Sequence, residues 1–311
     1  MFHAPFRCVA LTATTALLLL LTRPAAADDS VKPSGKCMMW TAKSATATVY
    51  LVGSTHFGKT DLYPLPKEME DAFAKSDTLV VECNIDKDDM QEVMKFVLAK
   101  GMYPAGETVA DHLTPEHLKD LKATCESIGM PAAAAEKMKP WLIETALDGA
   151  AAKKAGLDPG LGIDEHFLGE AEKKDRPIEE LESMQFQLNL LAGLDAKLEE
   201  QDLAEAVSGF KEMPAELTKI VDTWRSGDAE ALNKLFTAED EKSGAENQKL
   251  IYDRNGPMAK KVEKYLRGNK TVFICVGCAH VVGDKGIVKI LKDDKVDVEQ
   301  SNATSPPVGV P

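Results

Sequence analysis

Basic charge is scarce in this 311-residue chain: 37 lysines and arginines face 50 aspartates and glutamates, a net charge of −13. Nucleic acids select for a surplus of positive charge, so this balance argues against a nucleic-acid partner. Long apolar runs are missing beyond residue 27: no later stretch approaches the ~20 apolar residues of a membrane span. Cysteines are few, and their spacing is not that of a disulfide-dense scaffold. No fixed-period repeat marks a solenoid. The chain also lacks His-Glu-x-x-His, so no local motif fixes a metal site.

The first 27 residues read as an export signal. His3 and Arg7 give a weakly positive start, Val9 to Leu21 is a short apolar run containing Leu17–Leu21, and Ala25–Ala26–Ala27 supplies small residues for cleavage. Cys8 follows Arg7 without a lipobox-like context. The expected mature protein is periplasmic or secreted, with no membrane attachment after cleavage near Ala27. Loss of Arg7 and Arg23 makes it more acidic still. Cys37, Cys83, Cys125, Cys275 and Cys278 remain, an odd number, so at least one thiol is free or pairs between chains.

What is present is a pair of matching runs. Val49–Tyr50–Leu51–Val52–Gly53–Ser54–Thr55–His56 and Thr271–Val272–Phe273–Ile274–Cys275–Val276–Gly277–Cys278–Ala279–His280 are each apolar, rich in β-branched residues and closed by Gly-x-x-His. Such runs read as buried strands, with each His just past a C-terminal strand end. That edge is where open α/β sheets bind ligands. Cys37–Thr41 and Thr48–Val52 predict a first hairpin. Leu65–Pro66 opens a helix with Leu65, Met69 and Phe73 on one face. Thr78–Leu79–Val80–Val81–Glu82 predicts a strand ending on a carboxylate. Strand, helix, strand in that order implies a right-handed parallel crossover.

Residues from about 88 to 246 read as a helical insertion. Thr114–Pro115 caps one helix, the alanine-rich 132–154 stretch breaks at Pro140, and Pro177 to Glu182 reads as a short extended link. Asn247–Arg254 and Pro257–Leu266 predict two helices, and Val296–Val298 a last strand. The expectation is thus an α/β fold: one domain over 28–299, its mixed or parallel sheet core (about 37–87 and 247–299) split by the helical insertion. Residues 300–311 are expected to be a disordered tail.

If the three strands are neighbours, His56, Glu82 and His280 converge on one crevice. Two imidazoles and a carboxylate can bind a divalent transition metal, in zinc sites with an open water position or in the two-His-one-carboxylate pattern of iron and manganese. Without a metal, His56 could act as general base with Glu82 as its orienting partner. Arg254 could bind a substrate carboxylate or an oxyanion. Asp164 and Glu182 are weaker candidates for supporting or substrate contacts.

The stretches Tyr50–His56, Val80–Glu82, Tyr252–Asp253–Arg254–Asn255 with Met258, and Val276–Gly283 stand in the order seen in the TraB/GumN family. Gly162–Ile163–Asp164 and Leu181–Glu182 with Gln187 are similar to it as well. The resemblance covers about 37–293. That family is grouped with the Tiki proteins, metal-dependent proteases, and more distantly with erythromycin-esterase-like and haem-binding ChaN-like proteins. By this resemblance His56, Glu82 and His280 are metal or active-site residues with Arg254 beside them. The expected cofactor is a divalent transition metal, with Zn, Mn, Co and Fe all left open.

The expected function is hydrolysis of a peptide or small-molecule substrate by metal-activated water, with Glu82 as proton carrier if it is not a ligand. The alternatives are a peptide-, metal- or haem-binding protein without turnover and a metal-free esterase-like hydrolase. Cys275 and Cys278 do not form a haem-attachment motif, because Ala279 precedes His280. On a strand they would stand about 10 Å apart, beyond the roughly 7 Å reach of a disulfide, so they read as buried thiols. His112, His117 and His166 read as ordinary side chains.

Overall fold

The computed structural model describes residues 33–84, 90–238 and 240–303. The expected export signal and most of the expected tail lie outside these residues. Six strands form one mixed sheet in the order β4-β3-β5-β2-β1-β6. β1 (Lys36–Lys43) and β2 (Thr48–Ser54) make the expected antiparallel hairpin, closed by the Ser44 hydroxyl accepting from the Ala47 amide. β5 (Thr271–Gly277) runs parallel to β2 on one side and to β3 (Thr78–Val81) on the other. It is the second Gly-x-x-His strand, inserted between the first such strand and the Glu82 strand. All three point their C-terminal ends the same way.

A strand paired on both sides in parallel needs both faces covered. Val272 to Gly277 are buried throughout. One face is sealed by Phe273 against Phe73 and Phe167, from helices Lys67–Ala74 and Ile163–Lys173, with ring centroids 4.5–5.3 Å apart. The helix Asp253–Leu266 lies against β2 and against the helix Ile287–Asp293. The inserted helices Pro115–Ser127, Pro140–Lys154, Ala196–Gly209 and Met213–Ser226 pack mainly on one another. The indole of Trp224 ties this layer to the sheet by donating to the Gly53 carbonyl.

Three expectations change. Ile178–Glu180, the expected link, is β4 and pairs parallel with β3, so the insertion supplies an edge strand to the sheet. β6 spans Val298–Asn302, antiparallel to β1, so ordered structure extends into the segment expected to be a tail. Pro257 does not start a helix. It lies inside Asp253–Leu266, which follows a π-helical turn at Gln248–Tyr252. Arg254 and Asn255 therefore share the first turn of one helix. Among the described residues no helix is long and apolar enough to cross a membrane.

Candidate functional site

Glu82 leaves the end of β3 and is buried. Its Oε1 accepts from Arg254 Nη2 and, at 2.9 Å, from Gln187 Nε2. Its Oε2 accepts from the backbone amide of Gly277, at the end of β5, at 3.1 Å. Arg254 is 3% exposed and also grips Glu182, with Nε at 3.1 and 3.0 Å from its two oxygens. Its Nη1 donates to the Leu250 carbonyl, one turn back, at 2.6 Å. The guanidinium thus spends donors from all three nitrogens on protein acceptors. It clamps the two carboxylates of Glu82 and Glu182 together.

Burial alone would push the Glu82 carboxyl up. The Arg254 guanidinium, by its charge and its hydrogen bond, leads the opposing effects, which bring the carboxyl down to about 2. At neutral pH Glu82 is therefore a fixed anion and a poor proton carrier.

His280 follows β5 on the short helical turn Cys278–Val281 and is 0% exposed. Its Nδ1 lies 2.7 Å from Asn255 Oδ1. Its Nε2 lies 3.7 Å from Glu82 Oε1 and finds no hydrogen-bond partner among the described residues. Burial lowers the imidazole pKa to about 3; the Glu82 charge opposes this, and those of Arg254 and His56 add to it. The ring is neutral.

His56 leaves β2 into a loop and places Nδ1 3.1 Å from Asp164 Oδ2. Asp164 opens the helix Ile163–Lys173, which is hung on the loop by the Ile163 amide donating to the Thr55 carbonyl at 3.0 Å. The residue before it must be small: a Cβ on Gly162 would lie 2.7 Å from the His56 carbonyl oxygen. Gly53 allows a similar approach, since its added Cβ would stand 3.1 Å from Cys278. That contact lets the two Gly-x-x-His turns pack together. Asp164 is thus an orienting partner of His56. His56 still acts electrostatically on both Glu82 and His280.

Of the expected site, Glu82 and Arg254 form one hydrogen-bonded cluster with Glu182, His280 stands 3.7 Å from Glu82 without a hydrogen bond to it, and His56 stands at the side with Asp164. Among the described residues, no group of three or more His, Cys, Asp or Glu is placed to hold a metal ion. Gln187 and Asn255 were not singled out for these roles. Each comes from a helix whose position on the sheet decides the contact, so no local pattern announces it. Among the described residues the five cysteines form no disulfide. Cys278 opens a helical turn, contrary to the expected strand end, yet burial pushes its thiol up to about 12. A redox role stays closed to it.

A groove of about 450 Å³ reaches this cluster at Arg254 and Glu182, walled by Leu181, Phe186, Leu190 and Met258. His112 is held between Glu107 and Glu200, and His166 by Glu70, so both have surface partners of their own.

The model of the TraB/PrgY/gumN family matches residues 38–300. The chain belongs to that family. It is 24% identical over 246 residues to the YbaP protein of Escherichia coli strain K12, which covers 78% of this chain and 87% of that one. A Treponema pallidum protein is 22% identical over 269 residues, 82% of this chain and 80% of its own. Both carry names that state no activity. No solved structure matches the chain.

Proposed function

We propose that this family member is an exported, metal-dependent hydrolase acting on peptide bonds, with His280 and Glu82 as the metal-holding pair and His56 beside them. One observation carries the reading: a bare, fully buried His280 Nε2 stands 3.7 Å from a carboxylate oxygen of Glu82. Both atoms are acceptors, and neither can donate to the other. Two ligand atoms that each bind one ion at ~2.0–2.2 Å are at most about 4.4 Å apart, so this pair fits two positions of one coordination sphere. The cluster is also short of positive charge, with one guanidinium facing the carboxyls of Glu82 and Glu182.

A divalent ion held there would lower the pKa of water toward ~7 and polarise a carbonyl. Arg254 keeps Glu82 anionic and in place. Gln187 and the Gly277 amide fix its rotation. The Asp164 carboxylate orients His56 and strengthens its basicity. The groove beside Arg254 would receive apolar side chains of the substrate.

The test is metal analysis of the purified protein, with turnover of a peptide library before and after chelation. The reading requires bound metal, loss of turnover on chelation, and loss again in His280→Ala. Unchanged turnover in a folded His56→Ala/His280→Ala protein sinks it. The 3.1 Å Asp164–His56 contact favours a second reading, a metal-free hydrolase with His56 as general base. Turnover that survives chelation and disappears in His56→Ala would select it.

A further inference from the structure

Asn255 makes two hydrogen bonds that leave it only one orientation. Its Nδ2 donates to the Lys285 carbonyl at 2.8 Å, and its Oδ1 lies 2.7 Å from His280 Nδ1. Rotating the amide by half a turn would set oxygen against the Lys285 carbonyl oxygen, so the carbonyl fixes the amide. Oδ1 can only accept, so the ring nitrogen facing it must carry the proton. Both side chains are 0% exposed, away from bulk solvent.

From this arrangement we propose that Asn255 is a positioning residue: it locks His280 as the Nδ1–H tautomer and so aims an unprotonated Nε2 at Glu82. The other tautomer would put an N–H on Nε2, toward Glu82, and leave Asn255 Oδ1 facing a lone pair. Asn255 thus selects which atom of His280 meets the carboxylate, and turns a possible hydrogen bond to that carboxylate into a paired acceptor site for a cation. The backbone makes this possible, because Asp253–Leu266 starts before Pro257 and carries Arg254 and Asn255 on adjacent positions. One residue reaches Glu82 and the other His280. The tautomer stands independently of the metal reading; its use in holding an ion rests on that reading.

The experiment is long-range ¹H–¹⁵N correlation of the full chain after chelation at pH 7, with the His280 signals assigned by their absence in His280→Gln. The expected pattern has a pyrrole-type Nδ1 and a pyridine-type Nε2. A protonated Nε2, or protons on both nitrogens, overturns the proposal. This readout needs no folded Asn255 variant. Asn255→Leu, which removes the acceptor, should mix or invert the pattern; an unchanged tautomer in folded Asn255→Leu also overturns the proposal. Titration with Co²⁺ then separates the two ideas. If the wild-type chain binds Co²⁺, Asn255→Leu should weaken binding about 10–100-fold. The expected tautomer with no Co²⁺ binding leaves the role of Asn255 intact and fails the functional reading alone.

Discussion

His56 leaves β2 into a loop and meets the carboxylate of Asp164, whereas His280 leaves β5 on a helical turn and meets the amide of Asn255. The two residues end the same four-residue pattern and flank the same carboxylate. A carboxylate partner stabilises an imidazolium and raises ring basicity; an amide oxygen chooses a tautomer and adds no charge. Burial widens the gap: the His56 side chain is 9% exposed and that of His280 0%. His56 is therefore equipped to exchange a proton, and His280 to present a fixed lone pair. Repetition of a motif has produced two roles, set by which helix supplies the partner.

Removing the cation on the His280 side should give the largest effect. Arg254→Ala leaves the buried Glu82 and the half-buried Glu182 without their countercharge, and breaking a buried pair costs about 3–5 kcal/mol. Urea unfolding should show it as a lower midpoint at unchanged slope. Asp164→Ala, on the His56 side, should cost only about 1–3 kcal/mol, the range for a buried group losing its partner. Equal losses in the two variants would break the contrast.

Acid should also separate the two histidines. The folded-state pKa of His280 lies below its ordinary 6.5, at about 3. The unfolded chain therefore binds a proton that the folded chain refuses, and stability falls as pH drops below 6.5 toward 3. Between pH 7 and pH 5 the metal-free protein should lose about 2 kcal/mol from this residue. Denaturant titrations at both pH values, compared with His280→Gln, measure it. A slope that persists undiminished in His280→Gln would assign the effect elsewhere.

A smaller effect is expected where charge is removed without changing shape. Asp164→Asn keeps a hydrogen-bond partner for His56 and takes away its carboxylate. Turnover should fall about tenfold, ~1.4 kcal/mol, with the basic limb of the pH–rate profile displaced. Asn255→Asp, which adds charge at the other histidine, should leave that limb in place. Displacement by both variants would merge the two roles.

Much of this arrangement is legible in the chain. The β-branched runs ending at His56, Glu82 and His280 mark β2, β3 and β5, and strand ends of a parallel sheet converge on one edge. Arg254 falls beside Glu82, as the family resemblance implies. The partners are harder to read. β4 is three residues, two of them acidic and exposed, and it is a strand because β3 offers an open edge. Its own pattern does not require it. The pairing of Asn255 with His280 depends on where the Asp253–Leu266 helix begins. Pro257 favours a start four residues later, and the π-helical turn at 248–252 overrides that preference. Local rules place the strand ends; tertiary packing chooses what each functional side chain touches.

The smallest effect is expected two residues beyond Asp164, on the same helix. His166 bonds Glu70 at 2.9 Å near the surface and packs its ring 5.2 Å from Tyr63 and 5.0 Å from Phe167. Its polar contact joins two helices outside the Glu82 cluster, and a partly exposed pair of this kind contributes little. His166→Gln retains a donor for Glu70 and loses the ring contacts, so thermal unfolding should register a loss under about 1 kcal/mol. Turnover should stay within about twofold, because Asp164 is held by the Ile163–Thr55 backbone bond and not by His166. A large fall in turnover at preserved stability would mean that the helix transmits more to His56 than the Asp164 carboxylate. The difference between the two histidines would then belong to the whole helix and its packing, and no longer to one carboxylate set against one amide.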